Sequence, residues 1–289
     1  MKTIRKLKLL FATLLLVGWT GFVKAANYGS VTINGTTYTM TNTTTLIDAD
    51  IALLDLKAQG NVGSATITAN IGGTSYSGYT DVYNAVYNLL VAHPTHIIPG
   101  SGGHGNNGQY IWPVDSQNDA IWYIPFGKTA TFQYDDAGKV EKRLVVVGDG
   151  TIQRVMDNRR FFLPYSTNRL CLQGNLTVKS SNAVAAQSAK LAIVSVGDGI
   201  VYIADNVKIR DSHGEYAFNS GGGGAITLRS PGKVYMMDNA QILDCNSITS
   251  ETDPESQYFI SHGGAVAMLG TNPLFKMMGN AKISGCTTG

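Results

Sequence analysis

The stretch GGGGAITLRSPGKVYMMDNAQILDC, residues 221–245, returns at residues 263–286 in the altered form GGAVAMLGTNPLFKMMGNAKISGC. In both copies apolar residues alternate with polar ones, and an asparagine stands two positions after a Met-Met pair. Alternation with a period of two is typical of β-strands, and similarity at a spacing of tens of residues is typical of repeat architectures. The two copies therefore predict one structural unit that the chain uses repeatedly.

Four segments align on one asparagine, at spacings of 31, 33 and 41 residues. The asparagines are Asn175, Asn206, Asn239 and Asn280. Apolar residues recur at fixed positions on both sides of each asparagine, which predicts two short strands that meet at a corner. A third strand precedes them, as in the Gly-Gly-Ala-Ile run at 223–226 and the Gly-Gly-Ala-Val run at 263–266. Each unit is therefore predicted to contain three short strands and no helix.

A single unit of this kind cannot bury its own apolar face, but units that stack in parallel can. Neighbouring strands would lie about 4.8 Å apart, so that equivalent apolar residues form interior columns and the asparagines form a hydrogen-bonded structural ladder. The sequence therefore predicts an all-β fold, a parallel β-helix solenoid with an N-terminal helical cap. The cap is the amphipathic segment 79–90, with Thr80 as its N-cap, which we expect to cover the open first unit.

The first 25 residues are predicted to be a secretory signal peptide. Four basic residues between positions 2 and 8 precede an apolar run over 9–23, and the cleavage site follows Ala25. The apolar run is short for a membrane span, and no later segment is apolar enough to cross a bilayer. We therefore expect a protein that is secreted, extracellular or at the cell surface, with no transmembrane segment in the mature chain.

The chain divides into three predicted regions. The signal peptide occupies 1–25, a β-rich leading segment or cap occupies 26–78, and the parallel β-helix occupies 79–289. The Thr- and Gly-rich runs of 27–78 are interpreted as strands. The polar loop at 246–262 is longer than its counterpart in the preceding unit and is expected to protrude. The last unit stops in its loop, so we expect the β-helix to be incomplete at its C-terminus.

Charge and cysteine content exclude some classes of partner and fold. Removal of the leader takes away five basic residues and no acidic ones, which leaves 17 basic against 20 acidic residues and a formal charge of −3. A slightly acidic mature chain gives no electrostatic reason to expect nucleic acid. Three cysteines in an exported chain do not make a disulfide framework, so burial and hydrogen bonds must stabilise the fold.

The repeats resemble those of bacterial surface proteins of the polymorphic outer membrane protein and adhesin-like type. The resemblance rests on the Gly-Gly-Ala-Ile/Val strand, the Met-Met pair, the asparagine and the Ile-x-x-Cys end. The segments YTDVYNAVYNLL, IPFGKTATF, LVVVGDGTIQ and LCLQGNLTV are similar to the N-terminal part of pectin-lyase-like β-helices. Together these likenesses cover roughly residues 79–289 and imply a right-handed parallel β-helix at the cell surface or outside the cell.

Candidate chemistry is confined to the acidic residues beside the corners. Polysaccharide lyases and glycoside hydrolases need clustered carboxylates, with calcium or a basic residue in some mechanisms. The candidate catalytic residues are Asp205, Asp211, Asp238 and Asp244, with Lys208 and Arg210 nearby. Solvated polar positions beside a corner explain the same pattern. We expect no bound cofactor and no metal ligand set, with a calcium site at these aspartates as an open alternative.

Two hypotheses from different functional classes remain. The first is a structural or adhesive binding module whose partner is a glycan or a ligand on a host or neighbouring cell. The second is a carbohydrate-active enzyme, either a polysaccharide lyase or a glycoside hydrolase. A groove lined by acidic, basic and aromatic residues would favour the enzyme, whereas a smooth face of Thr, Ser and Lys would favour the binding module.

Overall fold

The computed structural model describes residues 27–98, 104–105, 109–110, 119–132, 139–140, 143–154, 163–164, 168–180, 192–215, 224–229, 231–248 and 263–288. The predicted signal peptide and most of the predicted protruding loop lie outside these residues. Within the described part of that loop, residues 246–248 form a strand that pairs with its neighbours on both sides, so this part of the loop does not protrude.

The N-terminal part of the described chain combines helices with an antiparallel sheet. The strands are β1 (Gly29–Ile33), β2 (Thr36–Met40), β3 (Ile67–Ile71) and β4 (Thr74–Ser77), in the order β2-β1-β3-β4. The helices are α1 (Thr43–Ala58) and α2 (Tyr79–Ala92). We call this group of elements, residues 27–92, the N-terminal unit.

Helix α1 is not predicted from the sequence, because its first three residues are threonines in the Thr- and Gly-rich region that is interpreted as strands. Asn42 begins the helix as a capping box: its side chain accepts from the Thr45 amide over 3.0 Å, and its own amide donates to Thr45 Oγ1 over 3.1 Å. The helix buries Leu46, Ile47 and other apolar residues along its length. Capping and burial together overcome the modest helix propensity of three successive threonines.

The rest of the described chain consists of short strands in several sheets, most of them parallel. The seven-stranded sheet contains β5 (His96–Ile97), β8 (Ala120–Ile124), β11 (Arg143–Gly148), β14 (Arg169–Gly174), β17 (Ile200–Ile203), β21 (Lys233–Met236) and β25 (Leu274–Met277). The six-stranded sheet contains β9 (Thr129–Phe132), β12 (Thr151–Arg154), β15 (Thr177–Ser180), β18 (Lys208–Arg210), β22 (Gln241–Leu243) and β26 (Lys282–Ser284). Within each of these two sheets the strand order follows the chain.

Four smaller sheets complete the described strands. Two are three-stranded and parallel: β16 (Val194–Val196), β20 (Ile226–Arg229) and β24 (Val266–Leu269) form one, and β19 (His213–Glu215), β23 (Asn246–Ile248) and β27 (Thr287–Thr288) form the other. The strands β10 (Lys139–Val140) and β13 (Leu163–Pro164) pair in parallel, and β6 (His104–Gly105) and β7 (Gln109–Tyr110) pair antiparallel.

The inner strands of the seven-stranded sheet are buried on both faces, whereas the edge strands β5 and β25 are partly exposed. One face contributes Val146, Leu172 and Ile203 to a first core shared with the six-stranded sheet. The opposite face contributes Val145 and Tyr202 to a second core shared with the N-terminal unit. A parallel sheet covered on both sides has nearly continuous apolar strands, which explains the run of apolar residues in β11.

The predicted fold class is wrong. The described residues form a mixed α and β structure in which two helices and an antiparallel sheet accompany several separate parallel sheets, rather than an all-β right-handed parallel β-helix solenoid. The parallel strands themselves are present, and equivalent residues of successive units pair in register. The prediction failed because alternation within one unit indicates strands but does not specify how many sheets they join or what covers those sheets.

The predicted helical cap also needs correction. Helix α2 occupies the expected segment, but it begins after Gly78, and no side-chain hydrogen bond from Thr80 caps it. The helix packs through Val82 and Val86 into the second core. The helix therefore covers a face of the seven-stranded sheet rather than its first edge. Its apolar residues share the second core with residues from several strands of that sheet.

Candidate functional site

All four candidate aspartates lie at corners where the backbone is left-handed. Asp205 and Asp238 have φ values of 57° and 60°, and Asp211 and Asp244 both have 52°. Glycine takes the equivalent places in the last unit, where Gly279 and Gly285 have φ values of 68° and 67°. Aspartate and glycine tolerate this region better than most residues do. The backbone of the corner therefore accounts for the aspartate pattern without any catalytic requirement.

Asp205 and Asp238 are covered by the helices of the N-terminal unit. Asp205 Oδ2 accepts hydrogen bonds from Tyr83 Oη over 3.0 Å and from the Gly174 amide over 2.8 Å. Asp238 Oδ1 forms an ion pair with Lys57 Nζ of α1, and its Oδ2 accepts from the Asp205 amide over 3.2 Å. These two carboxylates therefore hold the N-terminal unit against the seven-stranded sheet.

The environment of Asp205 disfavours its charged form. Burial raises the pKa of Asp205 above its ordinary value, and the neighbouring Asp238 carboxylate adds to the rise. Hydrogen bonds from Gly174 and Tyr83, and the charge of Lys57, oppose the rise. A carboxyl group with a raised pKa is a feature of general acids, but here a tyrosine hydroxyl and a backbone amide already bind it.

Asp50, on α1, lies near Asp205, and its pKa is also raised. It is fully buried, its Oδ2 accepts from Gln173 Nε2 over 2.7 Å, and its Oδ1 has no hydrogen-bond partner among the described residues. Burial raises the pKa of Asp50 to about 7, and the Asp205 carboxylate adds to the rise, while the hydrogen bond from Gln173 opposes it. Asp50 therefore takes up and releases a proton near neutral pH.

Two stacked tyrosines complete this cluster. The rings of Tyr79 and Tyr83 lie 5.6 Å apart between centroids, and Lys57 Nζ lies 5.2 Å from the Tyr79 centroid. Tyr83 Oη also lies 3.1 Å from Gln173 Oε1, so its single hydroxyl proton is shared between this oxygen and Asp205 Oδ2. We call the residues Asp50, Lys57, Tyr79, Tyr83, Gln173, Asp205 and Asp238 the interface cluster. It combines three carboxyl groups with one cation at a largely buried contact. The charge of such a group of residues changes with pH when its carboxyl groups gain or lose protons.

Further polar contacts attach α1 to successive strands of the seven-stranded sheet. They join Asp48 to Arg143, Asp55 to Tyr202 and the carbonyl of Ala58 to Lys276. The three sheet residues belong to β11, β17 and β25, so α1 crosses the strands from the middle of the sheet to its edge. The cluster is thus one part of a long intramolecular interface.

Asp211 and Asp244 lie apart from the interface cluster, at the second corner. Arg210 Nε donates to Asp211 Oδ2 over 2.8 Å, and Arg210 Nη2 lies 3.5 Å from Asp244 Oδ2. Because this small ion-pair group is partly exposed, it contributes little to stability. The four aspartates therefore form two separate pairs, each with its own basic partner.

The four repeat asparagines form one hydrogen-bonded ladder. Asn206 Nδ2 donates to Asn175 Oδ1 over 2.8 Å, Asn239 to Asn206 over 3.1 Å, and Asn280 to Asn239 over 3.2 Å. Asn175 Nδ2 in turn donates to Asp149 Oδ1 over 2.7 Å. Alignment of the sequence on asparagine does not find Asp149. Its carboxylate can only accept a hydrogen bond, which is why it stands at the start of the ladder.

The outward face of the six-stranded sheet presents two columns of side chains, all of them polar except Leu243. The residues between them, such as Ile152 and Ile209, are buried in the first core. One column is Thr129, Thr151, Thr177, Lys208, Gln241 and Lys282, and the other is Thr131, Gln153, Lys179, Arg210, Leu243 and Ser284. We call these twelve residues the polar face. It contains no acidic and no aromatic side chain.

The cysteines occupy two different cores. Cys171 is fully buried in the second core, and Cys245 and Cys286 lie in the first core. All three are free thiols, and burial raises the pKa of Cys245 to about 12. Within the described parts of the chain, no group of three or more His, Cys, Asp or Glu side chains is placed to hold a metal ion.

Sequence reasoning missed the helix side of the interface cluster. Asp50 and Lys57 lie on α1, Tyr79 and Tyr83 on α2, and Gln173 on β14, and no motif joins these three segments. One signal was present, since Asp50 stands among Leu46, Ile47, Leu53 and Leu54 in a helical pattern. A carboxylate within an apolar helical stripe indicates a buried polar contact.

None of the helices in the described ranges is long and apolar enough to cross a membrane. Comparison with protein-family models, with curated proteins and with solved structures found no match to this chain. The functional assignment therefore depends on the geometry described above.

Proposed function

We propose that this chain is a secreted or cell-surface binding module that uses the polar face to contact a glycan or a ligand on another cell. The observation that supports this most directly is the composition of that face, in which Thr, Gln, Ser, Lys and Arg occupy eleven of the twelve positions on six strands. An open sheet surface with hydrogen-bonding groups on successive strands suits the binding of an extended partner rather than the enclosure of a small substrate.

The contacts of the four candidate aspartates also favour a binding module over an enzyme. Asp205 and Asp238 bind Tyr83 and Lys57, while Asp211 and Asp244 bind Arg210. A hydrolase or lyase needs carboxyl groups that are free to reach the substrate. Asp205 and Asp238 instead hold contacts of the N-terminal unit, and Asp211 pairs with the neighbouring Arg210.

Export is tested by expressing the full chain with a C-terminal epitope tag in a bacterial host. We expect loss of the first 25 residues, measured by the intact mass of the recovered protein, and labelling of whole cells or of the medium by an antibody to the tag. Uncleaved protein that remains inside the cells would contradict the proposed location. A variant with Leu14→Arg in the apolar run is the control for leader-dependent export.

Binding is tested with beads that carry the purified chain, applied to surfaces coated with a panel of neutral and acidic glycans. We expect retention on at least one glycan, and reduced retention when Thr151 and Thr177 on the polar face are both changed to Ala. The enzyme hypothesis is tested in parallel by incubating the chain with the same glycans and measuring new reducing ends and unsaturated products. Product formation that Asp205→Asn abolishes would establish the enzyme instead.

A further inference from the structure

The polar face carries four basic residues, the three lysines Lys179, Lys208 and Lys282 together with Arg210. Lys208 and Lys282 lie in the same column on strands that are separated by one strand, with Gln241 between them. Two strand spacings place their backbones about 9.6 Å apart along the direction of stacking. Lys179 lies in the other column, on the strand that precedes Lys208. Both Lys208 and Lys282 are exposed.

These three lysines are not neutralised by the carboxylates nearest in sequence. Asp211 and Asp244 pair with Arg210 at the second corner. The ion pairs found among the described residues do not include Lys179, Lys208 or Lys282. The polar face therefore carries a local positive charge on a mature chain whose sequence is slightly acidic overall.

We propose that the polar face binds a linear anionic polysaccharide, which lies across the strands and places its carboxylate or sulfate groups against Lys179, Lys208 and Lys282. The threonine and glutamine side chains of the same columns donate hydrogen bonds to its hydroxyl groups. A polymer with repeated charges can place several of them against cations that stand on different strands of the same face. This inference rests on the proposed function, because it names the class of ligand for the same face.

The face is less suited to nucleic acid. Proteins that bind single strands stack bases on aromatic side chains, and the polar face has none. A six-stranded sheet is also broader than the α-helix or two-stranded ribbon that the major groove of a duplex admits. Charge complementarity without a stacking surface favours a saccharide polyanion over a nucleic acid.

The test measures binding of the purified full chain to polygalacturonate, which carries carboxylates, and to dextran sulfate, which carries sulfates. Neutral dextran and single-stranded DNA are the comparison polymers. We expect binding to at least one acidic polysaccharide, weakening as salt is raised, no binding to neutral dextran, and weaker binding to DNA. The two acidic polymers distinguish carboxylate from sulfate as the preferred group.

Two matched double variants locate the site. The combination of Lys208→Gln and Lys282→Gln removes two charges from the polar face, and we expect it to weaken binding about tenfold. The combination of Lys128→Gln and Lys233→Gln removes two charges from exposed positions outside the polar face and should change binding less than twofold. Circular dichroism of both variants verifies that the fold is retained.

Three outcomes would overturn the inference: equal losses in the two double variants, equal binding to DNA, or no binding to either acidic polysaccharide. The proposed function fails separately, if the chain is not exported or if its beads adhere to no glycan surface. Retention on neutral glycans with no affinity for acidic ones would reject the inference and leave the proposed function standing.

Discussion

Gln173 Nε2 donates a hydrogen bond to Asp50 Oδ2 over 2.7 Å, and this contact joins α1 to β14, the central strand of the seven-stranded sheet. The carboxyl group is fully buried, and its other oxygen has no hydrogen-bond partner among the described residues. The N-terminal unit therefore packs on the sheet through a group whose charged form is poorly solvated.

The first prediction concerns the pH dependence of stability. Burial raises the pKa of Asp50 to about 7 from an ordinary value of 3.8, so the folded chain binds more protons than the unfolded chain between these values. The contribution of Asp50 to stability is therefore greatest below about pH 4 and is lost as pH rises through about 7. The substitution Asp50→Asn mimics the neutral form and should stabilise the protein at pH 8 on the order of 2 kcal/mol.

Urea unfolding at pH 5 and pH 8 measures this effect. The wild-type chain should lose stability between the two pH values, and Asp50→Asn should reduce that loss, with the raised pKa of Asp205 contributing the remainder. Asp81→Asn removes the same charge from an exposed position on α2 and should leave the pH dependence unchanged. If Asp50→Asn loses as much stability between pH 5 and pH 8 as the wild-type chain does, Asp50 is not the source of the pH dependence.

The second prediction concerns the ion pair between Lys57 and Asp238. Both side chains keep about a quarter of their exposure, at 24% and 25%, so solvent screens the pair. We expect a coupling energy of about 1 kcal/mol in a double-mutant cycle of Lys57→Met and Asp238→Asn, measured by urea unfolding. A cycle of Lys57→Met with the exposed Asp81→Asn should give no coupling. Equal values in the two cycles would mean that the pair makes no specific contribution.

The third prediction compares two positions of the asparagine ladder. Asn239 both donates to Asn206 and accepts from Asn280, whereas Asn280 donates to Asn239. Because Asn239→Ala breaks two ladder hydrogen bonds and Asn280→Ala breaks one, we expect losses of about 1 and about 0.5 kcal/mol. Thermal unfolding of the two variants makes the comparison. A larger loss at Asn280 would contradict the ladder as the source of the effect.

The fourth prediction concerns glycines that allow close packing. A Cβ at Gly224 would lie 1.9 Å from the carbonyl oxygen of Gly264 and 2.7 Å from that of Asn246. Because both contacts are with backbone, Gly224→Ala should destabilise the fold by about 3 kcal/mol or more. At Gly63 a Cβ would meet nothing within 4 Å, so Gly63→Ala should be neutral or slightly stabilising. Similar melting temperatures for the two variants would refute this reading.

The glycine pairs also illustrate a partial success of sequence reasoning. In the sequence, a glycine pair before a strand predicts a tight bend, because glycine adopts backbone conformations that other residues avoid. Gly224 and Gly264 do precede strands β20 and β24. The contact distances show, however, that glycine is needed at these positions because neighbouring backbone approaches too closely for a Cβ. A left-handed backbone is required instead at the corners, where Gly279 and Gly285 of the last unit take the places that aspartates hold in the earlier units. Sequence alone does not distinguish these two uses of glycine.

The sequence by itself determined the local features that repeat. Alternating apolar residues specify short strands, and the fixed position of asparagine specifies which residues of successive units lie together, because a strand has a period of two and its register follows the buried face. The helix at 79–92 was also readable, since its apolar residues recur with helical spacing.

Only the tertiary structure decided the mixed architecture and the interface cluster. Asp50 and Gln173 are 123 positions apart in the chain, and no local pattern relates a carboxylate on α1 to an amide on β14. The same limit applies to Lys57 and Asp238, which are 181 positions apart. Packing of the N-terminal unit on the seven-stranded sheet brings these residues together, because burying two apolar faces against each other outweighs the cost of desolvating the polar groups between them.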